Sequence, residues 1–98
     1  MVNHIVMFRL DGDAPSRHEL AMRFKNAIEA LPFQIEELVD IRVDLNENPA
    51  EQWDMVLTAR VNTWEDLPLY ANNKAHLACV ELIKHNLIGR ACVDYADN

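Results

Sequence analysis

Alternation of apolar and polar residues predicts four β-strands, at residues 2–10, 35–45, 53–61 and 90–95. In the first strand, apolar side chains occupy both sets of alternating positions, which is typical of a strand covered on both faces. The second strand alternates apolar residues with charged ones, so we expect one of its faces to be wetter. A polar loop at 46–49 separates the second strand from the third, and we expect these two strands to be antiparallel.

Apolar residues three and four positions apart predict a helix between the first two strands. Ser16 and Glu19, just after Pro15, have the spacing of a capping box, so we expect the helix to begin there. Pro32 is expected to mark its end. The apolar stripe of this helix consists of Leu20, Phe24, Ile28 and Leu31.

A short helix and a longer one are predicted between the third and fourth strands. Thr63 begins a second capping pattern, but Pro68 limits the helix that follows to one or two turns. Asn72 or Asn73 is expected to begin the longer helix, and Gly89 is expected to end it. The apolar side of this longer helix consists of Cys79, Val80, Ile83 and Leu87.

The resulting order β, α, β, β, α, β predicts an α+β protein with a ferredoxin-like fold. In this fold a four-stranded antiparallel sheet carries its helices on one face. A length of 98 residues allows one domain, which we assign to 1–98. Because two helices cover only one face of such a sheet, the partly apolar second face needs a partner. We therefore expect a homodimer joined through the open sheet face into a dimeric α+β barrel.

Charge and composition narrow the classes of partner. A formal net charge of -7 repels phosphate backbones and anionic lipid surfaces, so we expect neither nucleic acid nor membrane as a partner. The apolar N-terminal segment lacks the basic region and cleavage site of a signal peptide, and we expect a cytoplasmic location. Cys79 and Cys92 have no metal-binding spacing, and we interpret them as small apolar residues, with a redox role as the alternative.

Three polar residues are candidates for a site within an otherwise apolar interior. Tyr70 and His76 lie near the predicted join between the two later helices, and His4 lies in the first strand. His18 and His85 fall among charged positions, where we expect them to be solvated, and their spacing does not indicate a metal site. We therefore expect no metal, and because the chain lacks a glycine-rich phosphate loop, we expect no nucleotide cofactor.

The segments NHIVMFRL, TWEDLPLYANNKAH and ACVDY resemble the stress-responsive α/β-barrel domain family, often called Dabb, over essentially the full chain. The resemblance implies a small dimeric α+β barrel in a family of which most members have no established reaction. The family motif has the form YxxHPxH. Its tyrosine matches Tyr70 and its last histidine matches His76, while Asn73 and Lys74 stand where the motif has His-Pro. His4 matches a histidine of the family's first strand.

A more distant resemblance connects the chain to a plant member of the family, olivetolic acid cyclase, which closes and aromatises a linear polyketide. That enzyme has a further histidine early in its third strand. Asp54 or Met55 stands at this place here. The chain therefore departs from the cyclase at this position, which argues against the specific cyclase activity.

Three interpretations of Tyr70, His76 and His4 stay open. The residues line a cavity that binds a small apolar ligand. Alternatively, they catalyse a cyclase-like, lyase or isomerase reaction in which His76 is a neutral general base and Tyr70 donates a hydrogen bond to the substrate. In the third interpretation the protein is a structural, stress-associated dimer, and His76 bonds a backbone carbonyl within the core. Whether the protein is an enzyme is left undecided by the sequence.

Overall fold

The computed structural model describes residues 1–97 and confirms the α+β ferredoxin-like fold. The strands are β1 (Val2–Leu10), β2 (Leu38–Leu45), β3 (Met55–Val61) and β4 (Leu87–Ala96). The helices are α1 (Ala14–Ile28), α2 (Asp66–Ala71) and α3 (Lys74–Ile83), with a short 3-10 helix at Leu31–Phe33. Within the described residues, no helix has the length and apolar character needed to cross a membrane.

The four strands form one antiparallel sheet in the order β2-β3-β1-β4. β1 therefore lies inside the sheet and pairs with β3 on one side and β4 on the other. In this register, His4 lies opposite Ala59 of β3 and Asp94 of β4. Residues that face each other across neighbouring strands share a sheet face, so His4 and Asp94 point to the same side.

The hydrophobic core lies between the helices and one face of the sheet. Alternate residues of β1, β2 and β3 face the helices, and the burial along β3 alternates strictly. Phe8 of β1 meets Phe24 of α1 edge to face, with ring centroids 5.4 Å apart. The other fully buried side chains include Val6, Ile28, Leu31, Ile35, Val43, Leu57 and Ile83.

The first helix begins earlier than the capping box predicted. α1 starts at Ala14, and its N-cap is Asp13, whose carboxylate accepts a hydrogen bond from the backbone N–H of Ser16 at 2.8 Å. This bond lowers the pKa of Asp13. The prediction that Ser16 is the cap is therefore wrong, because the aspartate three residues earlier already satisfies its N–H.

The end of the last helix also differs from the prediction. α3 ends at Ile83, and Gly89 lies within β4, so the interpretation of Gly89 as the helix stop is wrong. A Cβ atom at Gly89 would lie 3.2 Å from Cβ of Arg9 and 3.6 Å from the ring of Trp53. A side chain at this position would therefore crowd Arg9 on the neighbouring strand, whereas its contact with the Trp53 ring would be an ordinary one. Trp53 itself precedes β3, which begins two residues later than predicted.

The second face of the sheet carries an apolar centre with charged pairs beside it. Val93 and Tyr95 of β4 are 64% and 48% exposed. On β2 and β3, Arg60 donates from Nε to Asp40 at 2.9 Å, and Arg42 pairs with Asp44. We call this surface the open face; the strand registers assign to its centre Ile5, Met7, Val56, Ala91 and Val93.

Candidate functional site

The junction between α2 and α3 brings Tyr70 and His76 together. Asn73 is the N-cap of α3, and its side-chain oxygen accepts a hydrogen bond from the backbone N–H of Ala75 at 2.9 Å. Lys74 then occupies the first helical position, where proline is favoured but not required. His76 follows in the first turn of α3, directly after the short helix that carries Tyr70.

Tyr70 is a fully buried aromatic residue, with 0% of its surface exposed. Its ring centroid lies 4.5 Å from that of His76 and 6.1 Å from that of His4. Its hydroxyl is the one buried side-chain polar atom among residues 1–97 that has no hydrogen-bond partner. Burial raises the pKa of Tyr70, so the hydroxyl is protonated at neutral pH and is available as a donor.

The imidazole of His76 is fixed in one tautomer by a backbone carbonyl. Nδ1 lies 2.8 Å from the carbonyl oxygen of Ala71, and a carbonyl can only accept, so Nδ1 carries the proton. The neutral ring then has its lone pair on Nε2. Burial lowers the pKa of His76, the Ala71 bond opposes this, and His4 and Arg90 lower the pKa further. This lowering of the pKa agrees with the neutral imidazole expected from the sequence, and burial is its main cause.

Acidification is expected to destabilise the protein through His76. Because the folded pKa lies below the ordinary value of 6.5, the unfolded chain binds the proton first as the pH falls. The stability that comes from neutral His76 is therefore complete above pH 6.5, the ordinary pKa. This stability decreases as the pH falls from that value to the lowered pKa of His76 in the folded state. Urea unfolding of the wild type and His76→Gln at about pH 7 and about pH 5 measures this effect.

The glutamine variant serves as the control because its amide can still donate to Ala71 but does not titrate. We expect the wild type to lose more of its free energy of unfolding than His76→Gln over this interval. Equal losses in the two proteins would contradict the lowered pKa of His76.

His4 lies on the helix-facing side of β1, beside two side chains of β4. Its Nδ1 contacts a carboxylate oxygen of Asp94, and Cys92 Sγ lies 3.5 Å from that nitrogen. The sequence analysis missed Cys92 and Asp94 as neighbours of His4, because their proximity depends on the register of β1 with β4. The only local signal is the alternation in ACVDY, which puts Cys92 and Asp94 on the same side of a strand.

The other residues considered from the sequence lie away from this group. His18 and His85 are exposed, as predicted, and Cys79 is buried. Asp54 accepts hydrogen bonds from the backbone N–H of Leu10 at 2.6 Å and from Arg17 at 3.1 Å. Asp54 thus fastens the end of β1 to α1, and the neighbouring Met55 belongs to the buried core.

Two surface cavities, of about 820 Å³ and about 300 Å³, lie near the other end of β1. The larger is lined by residues that include Arg9, Leu10 and Trp53, and neither cavity is lined by Tyr70, His76 or His4. The Tyr70 hydroxyl is therefore enclosed by protein in this structure. The cavity expected around the three residues stays a prediction.

The group formed by Tyr70, His76 and His4 has a definite chemical character. It offers a hydroxyl donor, an imidazole with a free nitrogen lone pair, and a second imidazole held by a carboxylate. A hydroxyl donor can polarise a carbonyl, and a neutral imidazole can accept a proton from the adjacent carbon. We call these three residues the Tyr–His site.

The fold defines a small α+β protein of the ferredoxin-like class. The residues of its Tyr–His site lie together near one end of β1. The family model of the stress responsive A/B barrel domain (Dabb) matches residues 2–97, and the chain belongs to this family. No curated protein of described function matches the sequence.

Solved structures with the same fold include dimeric proteins of unknown function and enzymes. A dimeric protein of unknown function from Bacteroides fragilis is 38% identical, with a TM-score of 0.92 over 96% of this chain and 93% of that chain. A dimeric ferredoxin-like protein of unknown function from Thermobifida fusca is 25% identical, with a TM-score of 0.80 over 97% and 89%. Hydroxynitrile lyase from Passiflora edulis is 13% identical, with a TM-score of 0.79 over 99% and 93%, and this likeness shows the fold alone.

Proposed function

We propose that the protein, as a single domain over residues 1–98, is a homodimeric binding protein for a small, mainly apolar ligand with a carbonyl or similar acceptor. The acceptor is bound at the Tyr–His site. The observation that carries this proposal is the buried Tyr70 hydroxyl without a partner. A cytoplasmic location, predicted from the sequence, remains part of the proposal.

The unpaired hydroxyl separates ligand binding from a purely structural role. The structural interpretation accounts for His76, since Nδ1 donates to the carbonyl of Ala71. It does not account for Tyr70, because a phenylalanine would fill the same space without burying a polar atom. Leaving a buried donor unsatisfied costs about 1–3 kcal/mol, so its retention supports a partner supplied by a ligand. Since the hydroxyl is enclosed, ligand entry requires the groups that surround it to move.

Homodimerisation through the open face is supported by the composition of that face. Its centre is apolar, while the pairs Asp40–Arg60 and Arg42–Asp44 lie on its β2 side. An apolar centre with charged groups at its border is typical of protein interfaces. The similar proteins from Bacteroides fragilis and Thermobifida fusca are dimers, which supports the same state for this chain.

A second candidate function is proton abstraction from the bound ligand. The free lone pair on Nε2 of His76 favours it, because the Ala71 carbonyl holds the ring in the tautomer that a general base needs. Tyr70 would donate to the oxygen of the developing enolate, and the proton would pass from carbon to Nε2. A lyase, isomerase or cyclase-like reaction would begin with this step.

Binding of 2-acetylnaphthalene, which joins an apolar body to one carbonyl, tests the proposal. We expect the wild type to bind it and Tyr70→Phe to bind about tenfold more weakly, since one hydrogen bond contributes about 1 kcal/mol or slightly more. Tyr95→Phe is the matched control, because Tyr95 is the other tyrosine and lies on β4. Calorimetric titration measures the affinities, and equal affinities for the wild type and Tyr70→Phe would contradict binding at Tyr70.

The same ketone distinguishes binding from catalysis. In deuterated water, exchange of its methyl protons reports proton abstraction next to the carbonyl. A general base contributes about 100-fold or more to such a step, so His76→Gln should lower the protein-catalysed rate by at least that factor. If the wild type binds the ketone but does not exchange its methyl protons, the protein binds this ketone without catalysing proton abstraction from it.

A further inference from the structure

Three potential metal ligands of different chemical types converge where β1 pairs with β4. Cys92 and Asp94 are two residues apart on β4, so their side chains share a face, and His4 lies directly opposite Asp94. One donor atom from each residue, Nδ1, Sγ and a carboxylate oxygen, lies within 4.8 Å of the other two. We call these residues the β1–β4 cluster.

Two of the three distances within the cluster match those around a tetrahedral zinc ion. Zinc bonds of about 2.3 Å to sulfur and about 2.0–2.1 Å to nitrogen or oxygen put sulfur about 3.6 Å from each of the other ligands. Cys92 Sγ lies 3.5 Å from His4 Nδ1 and 3.5 Å from Asp94 Oδ1. The third pair, His4 Nδ1 and Asp94 Oδ1, is in direct contact and must separate to about 3.3 Å to admit an ion.

We propose that His4, Cys92 and Asp94 bind a divalent cation of the zinc class at this edge of the sheet. Thiolate, imidazole and carboxylate are the three side-chain ligands that zinc uses, whereas calcium and magnesium prefer oxygen alone. The three protein ligands leave a fourth position for water or a small anion, which is the arrangement of an open zinc site.

Burial within the cluster is sufficient to hold an ion without enclosing it. The side chain of His4 is 14% exposed and that of Asp94 is 33% exposed. Because a thiol binds a metal ion as its thiolate, binding releases the thiol proton of Cys92.

The proposed cation site and the Tyr–His site differ in two of their three residues. Only His4 belongs to both, and it would offer Nδ1 to the metal in place of its contact with Asp94. The ring of His4 lies edge-on to that of Tyr70, so metal binding would also fix the orientation of one wall of the Tyr–His site. Cys92 and Asp94 have no part in the ketone-binding proposal, so the two can fail separately.

Titration of the reduced, tag-free full chain with cobalt chloride tests the site. Cobalt(II) replaces zinc in such sites and absorbs visibly when it is bound tetrahedrally to a thiolate. We expect one cobalt ion per chain, a thiolate-to-cobalt charge-transfer band, and loss of the band when zinc chloride is added. Cys92→Ala should abolish the band and weaken zinc binding at least about 100-fold, because even outer-shell substitutions cost about 10–100-fold.

Cys79→Ala is the matched control, since it removes the other thiol of the chain from α3 and leaves the cluster intact. It should retain the cobalt band. No thiolate band in the wild type, or an unchanged band in Cys92→Ala, would overturn the proposal. Asp94→Asn provides a second variant at an exposed position, and zinc affinity equal to that of the wild type would likewise overturn the three-residue site.

Discussion

Val93→Asp is expected to convert the dimer into a folded monomer. Val93 lies at the centre of the open face and is 64% exposed in the single chain, so the substitution removes little from the packing of the monomer. In a symmetric dimer the same position occurs on both sides, and both new carboxylates would be buried in the interface. Each unpaired buried charge costs at least about 2 kcal/mol, so the two together should raise the dissociation constant at least about 500-fold.

Sedimentation velocity at micromolar concentration measures this change, and circular dichroism checks that the monomer remains folded. Phe33→Asp is the matched control, because Phe33 is 93% exposed in the 3-10 helix, outside the open face. It should remain dimeric. A wild-type monomer at this concentration would refute the dimer, and a dimeric Val93→Asp would show that another surface joins the two chains.

Tyr70→Phe is expected to raise the stability of the ligand-free protein. The wild type buries a hydroxyl that no group of the described chain satisfies, and phenylalanine removes that atom while it keeps the ring. The gain should be about 1–3 kcal/mol in the free energy of unfolding. For a domain of this size, each kcal/mol corresponds to a rise of about 4–8 °C in melting temperature.

Urea unfolding and calorimetry measure the gain, with Tyr95→Phe as the control. The Tyr95 ring is 48% exposed in the single chain, so loss of its hydroxyl should change the stability of the folded chain itself by no more than about 0.5 kcal/mol. A Tyr70→Phe variant that is less stable than the wild type would mean that the hydroxyl has a partner in the ligand-free protein. Higher stability together with weaker ketone binding would identify a residue retained for function at a cost in stability.

The order of strands and helices could be predicted from the sequence because each element carries its own periodic pattern. The predicted ends of the helices were less accurate, because two local signals compete there. Ser16 and Glu19 have capping-box spacing, but Asp13 lies closer to the helix start and accepts the Ser16 N–H. Gly89 resembles a helix stop, yet it lies within β4, where a side chain would crowd Arg9 of the neighbouring strand.

The candidate site was predicted only in part, for a different reason. Tyr70 and His76 are six positions apart, so one helix junction brings them together and local patterns suffice. Asp94 is 90 residues from His4 and Cys92 is 88, and only the register of the sheet makes them neighbours. A register shift at Val39 similarly moves this apolar side chain to an exposed position that alternation does not predict. The missing partner of the Tyr70 hydroxyl depends on three-dimensional packing and has no signature in the sequence.

The internal position of β1 determines when the domain can be completed during synthesis. β1 is made before the other strands of the domain, but one of its edges pairs with β4, which is made after them. Until then that edge presents unpaired backbone groups beside apolar side chains, which is the kind of surface that aggregates and that chaperones bind. Nascent or truncated chains without β4 should therefore depend strongly on chaperones. The same edge carries His4, so neither the Tyr–His site nor the proposed cation site can form before synthesis of the domain is nearly finished.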